Sequence, residues 1–252
     1  MKKMIVGEHI TKSFGEDGEG HKVLNDVSLE INEGEFLSVM GPSGSGKSTL
    51  MFALSGMEKI DHGKVLFDNR NLSELKPDLL ADLRRTQMGF VFQQPTLLKN
   101  LSILDNIILP SVHDNRKNRA AITKKAKEWM KITGIEGLES RSITQVSGGQ
   151  LQRAGICRAL MNHPKIIFGD EPTGALNSRS AQEIMDIFSE INAKGTAILL
   201  VTHDAKVAAR TERVLFMLDG RIVSEIKLLK FTGANIEKRM EIIAQRMREI
   251  GI

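Results

Sequence analysis

The stretch Gly41-Pro-Ser-Gly-Ser-Gly-Lys47-Ser48 constrains this chain more than any other part of its sequence. It fits G-x-x-x-x-G-K-[ST], a loop whose backbone N–H groups cradle phosphates at a helix N-terminus. Such a loop works only between a strand and a helix, and both neighbours are legible. Phe36 to Met40 is a short apolar run, and Lys47 to Gly56 reads as a helix closed by a C-terminal glycine. The expected fold class is therefore α/β. Kinases, GTPases, helicases and transport ATPases all carry such loops, so alone it predicts ATP or GTP binding and no more.

The rest of the chain agrees with that class. At 252 residues and 41% hydrophobic content, one α/β domain with an inserted lobe can bury a full core. Val65 to Phe67 and Met88 to Gln93 read as strands, with a helix around Leu79 to Arg85 between them. From about Pro95 to Pro164 strand signals stop, and helical periodicity appears near Leu104–Ile108, Ile122–Ile132 and Leu151–Met161. Strands resume at Lys165–Phe168 and Ala197–Val201 around a helix from about Ala181 to Ala193. Short apolar strands alternating with helices predict a mostly parallel, buried sheet. Met4 to Ile31 alternates apolar and polar residues around Gly15-Glu-Asp-Gly-Glu-Gly20, which predicts antiparallel strands joined by a flexible loop. Asp219-Gly220 between Val214–Leu218 and Arg221–Ile226 signals a hairpin. Ile236, Met240, Ile243, Met247 and Ile250 predict an amphipathic helix behind an Asn235 cap, packed on its own domain.

Composition excludes several function classes. The lone Cys157, set among Ala154, Ile156, Ala159 and Leu160, rules out a disulfide framework and reads as a buried thiol. The N-terminal residues lack the apolar core of a secretory signal, and no run approaches the roughly 18 apolar residues of a membrane span. Any membrane connection is expected through a partner. The charge of +4 is mild, and Arg116, Lys117, Arg119, Lys124, Lys125 and Lys127 read as one solvated helix face. No nucleic-acid partner is expected.

Three further motifs carry chemistry. Ile166-Ile-Phe-Gly-Asp170-Glu171 puts two carboxylates at the end of a buried strand, where a parallel sheet delivers side chains to a nucleotide crevice. Asp170 suits the Mg²⁺ shell with the Ser48 hydroxyl, and Glu171 suits orienting or deprotonating an attacking water. Lys47 supplies a mobile positive charge for the β- and γ-phosphates. Ser147-Gly148-Gly149-Gln150 precedes a helix, so Ser147 reads as a cap whose neighbouring N–H groups form a second anion site. A plain cap followed by a glycine turn remains the simpler alternative. One triphosphate does not need two such helix ends on one chain, whereas two chains sharing an ATP would use both.

The order of these motifs resembles an ATP-binding-cassette (ABC) nucleotide-binding domain over about residues 4 to 226. The elements are the phosphate loop, Gln93, Val146-Ser-Gly-Gly-Gln-Leu-Gln-Arg153, Asp170-Glu171, Ala175-Leu-Asn-Ser178 and His203. The resemblance implies a P-loop (RecA-like) core with an N-terminal antiparallel subdomain and a helical subdomain at about 95–164. It puts the cassette at 1–227 and a helical extension at 228–252. It implies ATP and Mg²⁺ as cofactors, with Gly41, Pro42, Ser43, Gly44, Ser45, Gly46, Lys47, Ser48 and Thr49 around the nucleotide. Phe14 stands where an aromatic residue stacks on adenine, although core packing explains a lone Phe equally well. Gln93 would sense Mg²⁺ and water, His203 would hold the γ-phosphate, and Ser147 and Gly149 would meet the nucleotide of an opposite chain. Val146, Asn177 and Gly169 depart from the common pattern.

Pro172-Thr-Gly-Ala-Leu-Asn-Ser178, Gly89-Phe-Val-Phe-Gln93 and Asn106-Ile-Ile-Leu-Pro110 resemble the lipoprotein-release and macrolide-export subfamily, and within it the bacitracin-export (Bce-type) ATPases. That likeness implies an ATPase that dimerises on ATP at the cytoplasmic face of the membrane. It implies a separate permease, a role in antimicrobial-peptide resistance or sensing, and a sensor kinase reached through the permease. A cell-division cassette is the nearest confusable relative. DNA-repair and translation cassettes would need coiled coils, zinc modules or a second cassette, and a GTPase would need Asn-Lys-x-Asp. Leu97, Leu98, Leu101, Ile103 and Leu104 either form a socket for the permease or fill the core of the lobe.

Overall fold

A computed structural model describes residues 2–15, 20–113 and 116–252. Its centre is a six-stranded sheet in the order β10-β9-β3-β8-β7-β6. The strands are β3 (Phe36–Met40), β6 (Met88–Phe92), β7 (Ile166–Asp170), β8 (Ala197–Val201), β9 (Arg213–Leu218) and β10 (Arg221–Lys227). All neighbours pair in parallel except β9 with β10, the hairpin turned by Asp219-Gly220. Both faces of the sheet are covered, so β3 and β8 are buried at every residue. Full burial of a side chain such as Phe168 or Phe188 contributes up to about 3 kcal/mol.

A second, four-stranded antiparallel sheet packs beside it in the order β2-β1-β4-β5. It contains β1 (Lys3–Phe14), β2 (His21–Asn32), β4 (His62–Phe67) and β5 (Arg70–Asn71). Two of its strands come after the phosphate loop, so this layer is continuous in space and not in sequence. The expected flexible loop between β1 and β2 falls mainly on residues 16–19, outside the described residues.

Helix α1 (Lys47–Leu54) leaves β3 through the phosphate loop, and α2 (Pro77–Gln87) begins with proline at its first position. The predicted helical stretch contains α3 (Ile103–Val112), α4 (Arg119–Ile132) and α5 (Gly148–Leu160), which share an apolar core including Ile107, Met130, Ala154 and Cys157. Helix α6 (Ser178–Ala193) presents Ile184, Ile187, Phe188 and Ile191 to the sheet at helical spacing.

The sequence reading needs four corrections or completions. Lys117 belongs to a separate 3-10 turn (Arg116–Asn118) ahead of α4 and Lys125 is half-buried, so the basic residues do not form one helix face. The apolar residues after Gln93 divide. Leu97 and Ile103 are core, Leu101 and Leu104 are half-buried, and Leu98 is exposed. Buried Asn106 organises that turn, its amide donating to the carbonyls of Leu98, Leu101 and Ser102 while Leu98 N donates back to it. Asn235 precedes α8 (Ile236–Glu249) in a left-handed conformation (φ 60°) and makes no side-chain cap bond. The apolar face of α8 nevertheless packs on its own domain, with Ile243 against Met40, Ala208, Ala209 and Phe216.

Candidate nucleotide site

Strand register brings the separate motifs together. Phe92 lies level with Asp170, Asp170 with Val201, and Val201 with Val39. Gln93, Asp170-Glu171, His203 and the phosphate loop therefore leave four adjacent parallel strands at one carboxyl edge. A doubly covered parallel sheet binds ligands at such an edge.

The loop's shape requires glycine at two positions. A Cβ on Gly41 would stand 2.2 Å from the Met217 carbonyl oxygen, and one on Gly46, at φ +96°, would stand 2.6 Å from that of Val23. Lys47 folds back across the loop and its Nζ donates to the Pro42 carbonyl at 2.7 Å. Burial disfavours its charge, an effect opposed by the Glu171 and Asp170 carboxylates. Ser48 Oγ donates to Asp170 Oδ1 at 2.8 Å. Burial also pushes the Asp170 carboxyl upward, while the Ser48 bond and Lys47 oppose that shift.

Glu171 follows with φ 45°, a left-handed conformation that costs a non-glycine residue about 1–2 kcal/mol. Its backbone N–H donates to Val201 O at 2.9 Å, and its Oε1 stands 2.9 Å from His203 Nδ1. The strained residue is thus held from both backbone and side chain. Gln93 approaches from the other side. A Cβ on Gly174 would meet Gln93 Nε2 at 2.9 Å and Glu171 Oε2 at 3.2 Å, so both side chains converge above that glycine.

These groups border a pocket of about 840 Å³ lined by Phe14, His21, Val23, Ser43, Gly44, Gly46, Lys47, Ser48, Thr49, Glu171 and His203. Phe14 is 45% exposed, with the Lys12 ammonium 4.9 Å from its ring centroid, so it is a surface platform and not core. Gly41, Pro42 and Ser45 shape the loop, and Asp170 and Gln93 flank the pocket; none of the five lines it. His21 and Val23 were not anticipated. The hairpin register supplies the missing signal, because Phe14 pairs directly with His21.

Ser147, Gly148, Gly149 and Gln150 do not line this pocket either. They form the start of α5, with Ser147 and Gly148 exposed and Gly149 and Gln150 half-buried; Ser147 Oγ accepts from Gln150 N at 3.3 Å and Gln150 Oε1 accepts from Ser147 N at 2.8 Å. This reciprocal capping box agrees with the reading of Ser147 as a cap. Gly149 faces the start of α6, where a Cβ would meet Ser180 Oγ at 3.3 Å.

The structure shows what two of the departures from the common pattern touch, although only the second distinguishes the residue present from the common one. Asn177 caps α6 by accepting from Ser180 N at 2.9 Å, a bond that an aspartate could also make. Gly169 faces Leu200, whose Cδ2 would stand 2.5 Å from an added Cβ.

Comparison with known proteins bears on the family and the fold. The family model for the ABC transporter matches residues 24–174. The chain is 40% identical over 225 residues to the macrolide export ATP-binding/permease protein MacB of Escherichia coli, covering 89% of this chain and 35% of that protein. It is 41% identical over 216 residues to a probable syringafactin export ATP-binding/permease protein, SyfD, of Pseudomonas syringae, covering 86% and 33%. The chain thus spans about a third of the length of the curated relatives it matches. Among solved structures it resembles the dimeric, post-hydrolysis state of the ATP-binding cassette MJ0796 bound to ADP and Pi. The TM-score is 0.83 at 39% identity, covering 90% of this chain and 100% of that one. The fold is accordingly that of a P-loop nucleotide-binding cassette. On the family match, the identities and the ordered motifs at one sheet edge, this chain belongs to the ABC transporter family and carries its ATP-binding cassette.

Proposed function

We propose that this chain is the ATP-binding and ATP-hydrolysing subunit of an ABC transporter, dimerising on ATP to drive a separate membrane permease. The observation that carries the reading is the Ser48–Asp170 and Glu171–His203 pairing beside Lys47, around one pocket. Phe14 stacks on the adenine, and Lys47 with the amides of residues 43–49 holds the phosphates. Glu171 accepts the proton of the attacking water, His203 orients that water against the γ-phosphate, and Gln93 reaches the same place from β6. The Ser48 hydroxyl and Asp170 carboxylate are hard oxygen donors side by side, the donor chemistry that suits Mg²⁺. Mg²⁺ held by these two residues would supply positive charge against the triphosphate.

Ser147, Gly148 and Gly149 complete the site of a second copy, with Gln150 holding their helix end in shape. The dimeric cassette to which the chain is similar supports that arrangement. A permease partner is supported by the ATP-binding/permease names of the relatives. Among the described residues no helix is long and apolar enough to cross a membrane. In this reading the subunit works at the cytoplasmic membrane face, and the cassette occupies 1–227 with 228–252 as an extension. Antimicrobial-peptide resistance or sensing, with a sensor kinase reached through the permease, rests on the Bce-type likeness of Pro172–Ser178. The test is steady-state ATP hydrolysis by wild type and Glu171→Gln. Wild-type turnover with Mg²⁺, and near-zero turnover with retained ATP binding in the variant, is expected. Equal rates would remove the general-base assignment.

A further inference from the structure

His203 is far less sheltered than Glu171, with a side chain 68% exposed against 23%. Its backbone is fixed on one side, where Thr202 N donates to Val39 O at 3.1 Å and Thr202 Oγ1 accepts from Asp204 N at 3.0 Å. On the other side the chain enters α7 (Ala205–Ala208), a single turn capped at its start by Asp204. One isolated turn has almost no stability of its own, because nucleation costs more than a single bond returns. Whatever holds the far end of α7 therefore holds His203 in place.

Part of that support comes from the sheet and α6, through Thr211 with Ser38 and Arg210 with Asp186, and part from the C-terminal helix. Arg239 on α8 is buried, and each of its three guanidinium nitrogens donates to a backbone carbonyl. Nε donates to Ala209 O at 2.6 Å, one Nη to Leu229 O at 2.6 Å and the other to Thr211 O at 2.7 Å. Ala209 follows α7 directly and Thr211 lies two residues further on, so Arg239 holds the backbone by which the chain leaves that turn. The Phe231 ring lies 5.5 Å from this guanidinium and 5.2 Å from that of Arg210, which also pairs with Asp186 of α6 at 2.7 Å. Ala208 and Ala209 pack in one cluster with Ile243 of α8. The extension is thereby stitched to the segment that carries His203.

We propose that Arg239 is a positioning residue for His203: it clamps the backbone just after α7 and so fixes the segment that holds the imidazole beside Glu171. The proposal rests on the hydrolytic role assigned to His203 above. It makes residues 228–252 part of the catalytic apparatus through a contact some way from the nucleotide pocket.

The experiment is a double-mutant cycle on the full chain, with kcat and KM for ATP read alongside the melting temperature. Arg239→Gln is expected to lower kcat about five- to tenfold with KM within about twofold. Arg239→Lys, which keeps the charge and one donor, should recover part of the loss and serves as the probe if the glutamine variant is unstable. In a His203→Ala background either substitution should change the residual rate less than about twofold, because the residue it acts through is gone. Equal losses in both backgrounds, or a lowered melting temperature with unchanged kcat, would overturn the proposal. Wild-type kcat in His203→Ala itself would overturn it by removing its premise. Histidine-labelled NMR gives an independent reading. The His203 ring resonance, assigned by its absence in His203→Ala, should shift in Arg239→Lys and stay fixed in Ile242→Ser on the exposed side of α8.

Discussion

Two glycine-rich helix starts, α1 and α5, look interchangeable in sequence and differ in how they are finished. Helix α1 starts at Gly46 with no side chain capping it, beneath a loop that encloses a pocket. Helix α5 starts at an exposed Ser147 already closed by a reciprocal box with Gln150. The first leaves its N–H groups to a ligand, and the second satisfies two of its own groups from within. An anion therefore has strong reason to settle at α1 in a single chain. At α5, in the function proposed above, a second chain would bring the rest of the site. The difference teaches that a glycine-rich turn alone does not define a phosphate site; what caps the helix does.

The comparison can be broken most directly at Lys47. Lys47→Ala should weaken ATP binding to the single chain about 100-fold, whereas Ser147→Ala should leave it within about twofold, as measured by fluorescent-nucleotide titration. A similar loss in both would mean that the two helix ends serve one nucleotide within one chain. Next in size come the glycines. Gly46→Ala forces a methyl against the Val23 carbonyl at positive φ and should destabilise the fold by about 1–3 kcal/mol in chemical denaturation. Gly148→Ala meets only Leu176 Cδ2, at 4.0 Å, and should preserve or raise stability by up to about 1 kcal/mol while lowering hydrolysis. Stability and activity thus part company at α5 and move together at α1.

A smaller effect tests whether the lobe carrying α5 opens. The Cys157 thiol is pushed up to about 12, first by burial, and bonds Thr133 at 3.1 Å. It should resist iodoacetamide at pH 8 in the folded chain and react at once in denaturant. Rapid labelling of the native protein would contradict a closed lobe. The smallest effect is a control distant from both helix ends. The Lys165 and Lys2 ammonium groups hold Asp68 at about 2, below the ordinary 3.8. Its contribution is present above pH 4 and is lost as pH falls through about 2. Asp68→Asn should cost less than about 1 kcal/mol at pH 7, a smaller part of that at pH 2, and nothing well below pH 2.

Much of this was legible in the sequence because it depends on local pattern. The strand Phe36–Met40 before the loop, the carboxylates after Ile166–Phe168 and the Asp219-Gly220 hairpin all announce themselves within a few residues. Contacts between distant segments were not legible. The antiparallel sheet recruits His62–Phe67 from beyond the phosphate loop, which depends on pairing partners and not on propensity. His21 joins the pocket through its register with Phe14, and Gly169 faces the side chain of Leu200 on the next strand. Asn235 reads as a cap by residue type, yet its left-handed backbone turns the side chain's usual bond away. Arg239 looks in sequence like any surface arginine of an amphipathic helix. Only the fold reveals three carbonyls waiting for it.

The central claim is that the pocket of one chain is half of a site. The measurement that tests it is light scattering coupled to size-exclusion chromatography of Glu171→Gln with and without ATP, repeated with Ser147→Ala added. The account predicts a monomer without nucleotide and a dimer holding two ATP molecules with it. The Ser147 change should weaken that dimer while each chain still binds ATP. A species that stays monomeric at saturating ATP, or a dimer indifferent to Ser147, would contradict it.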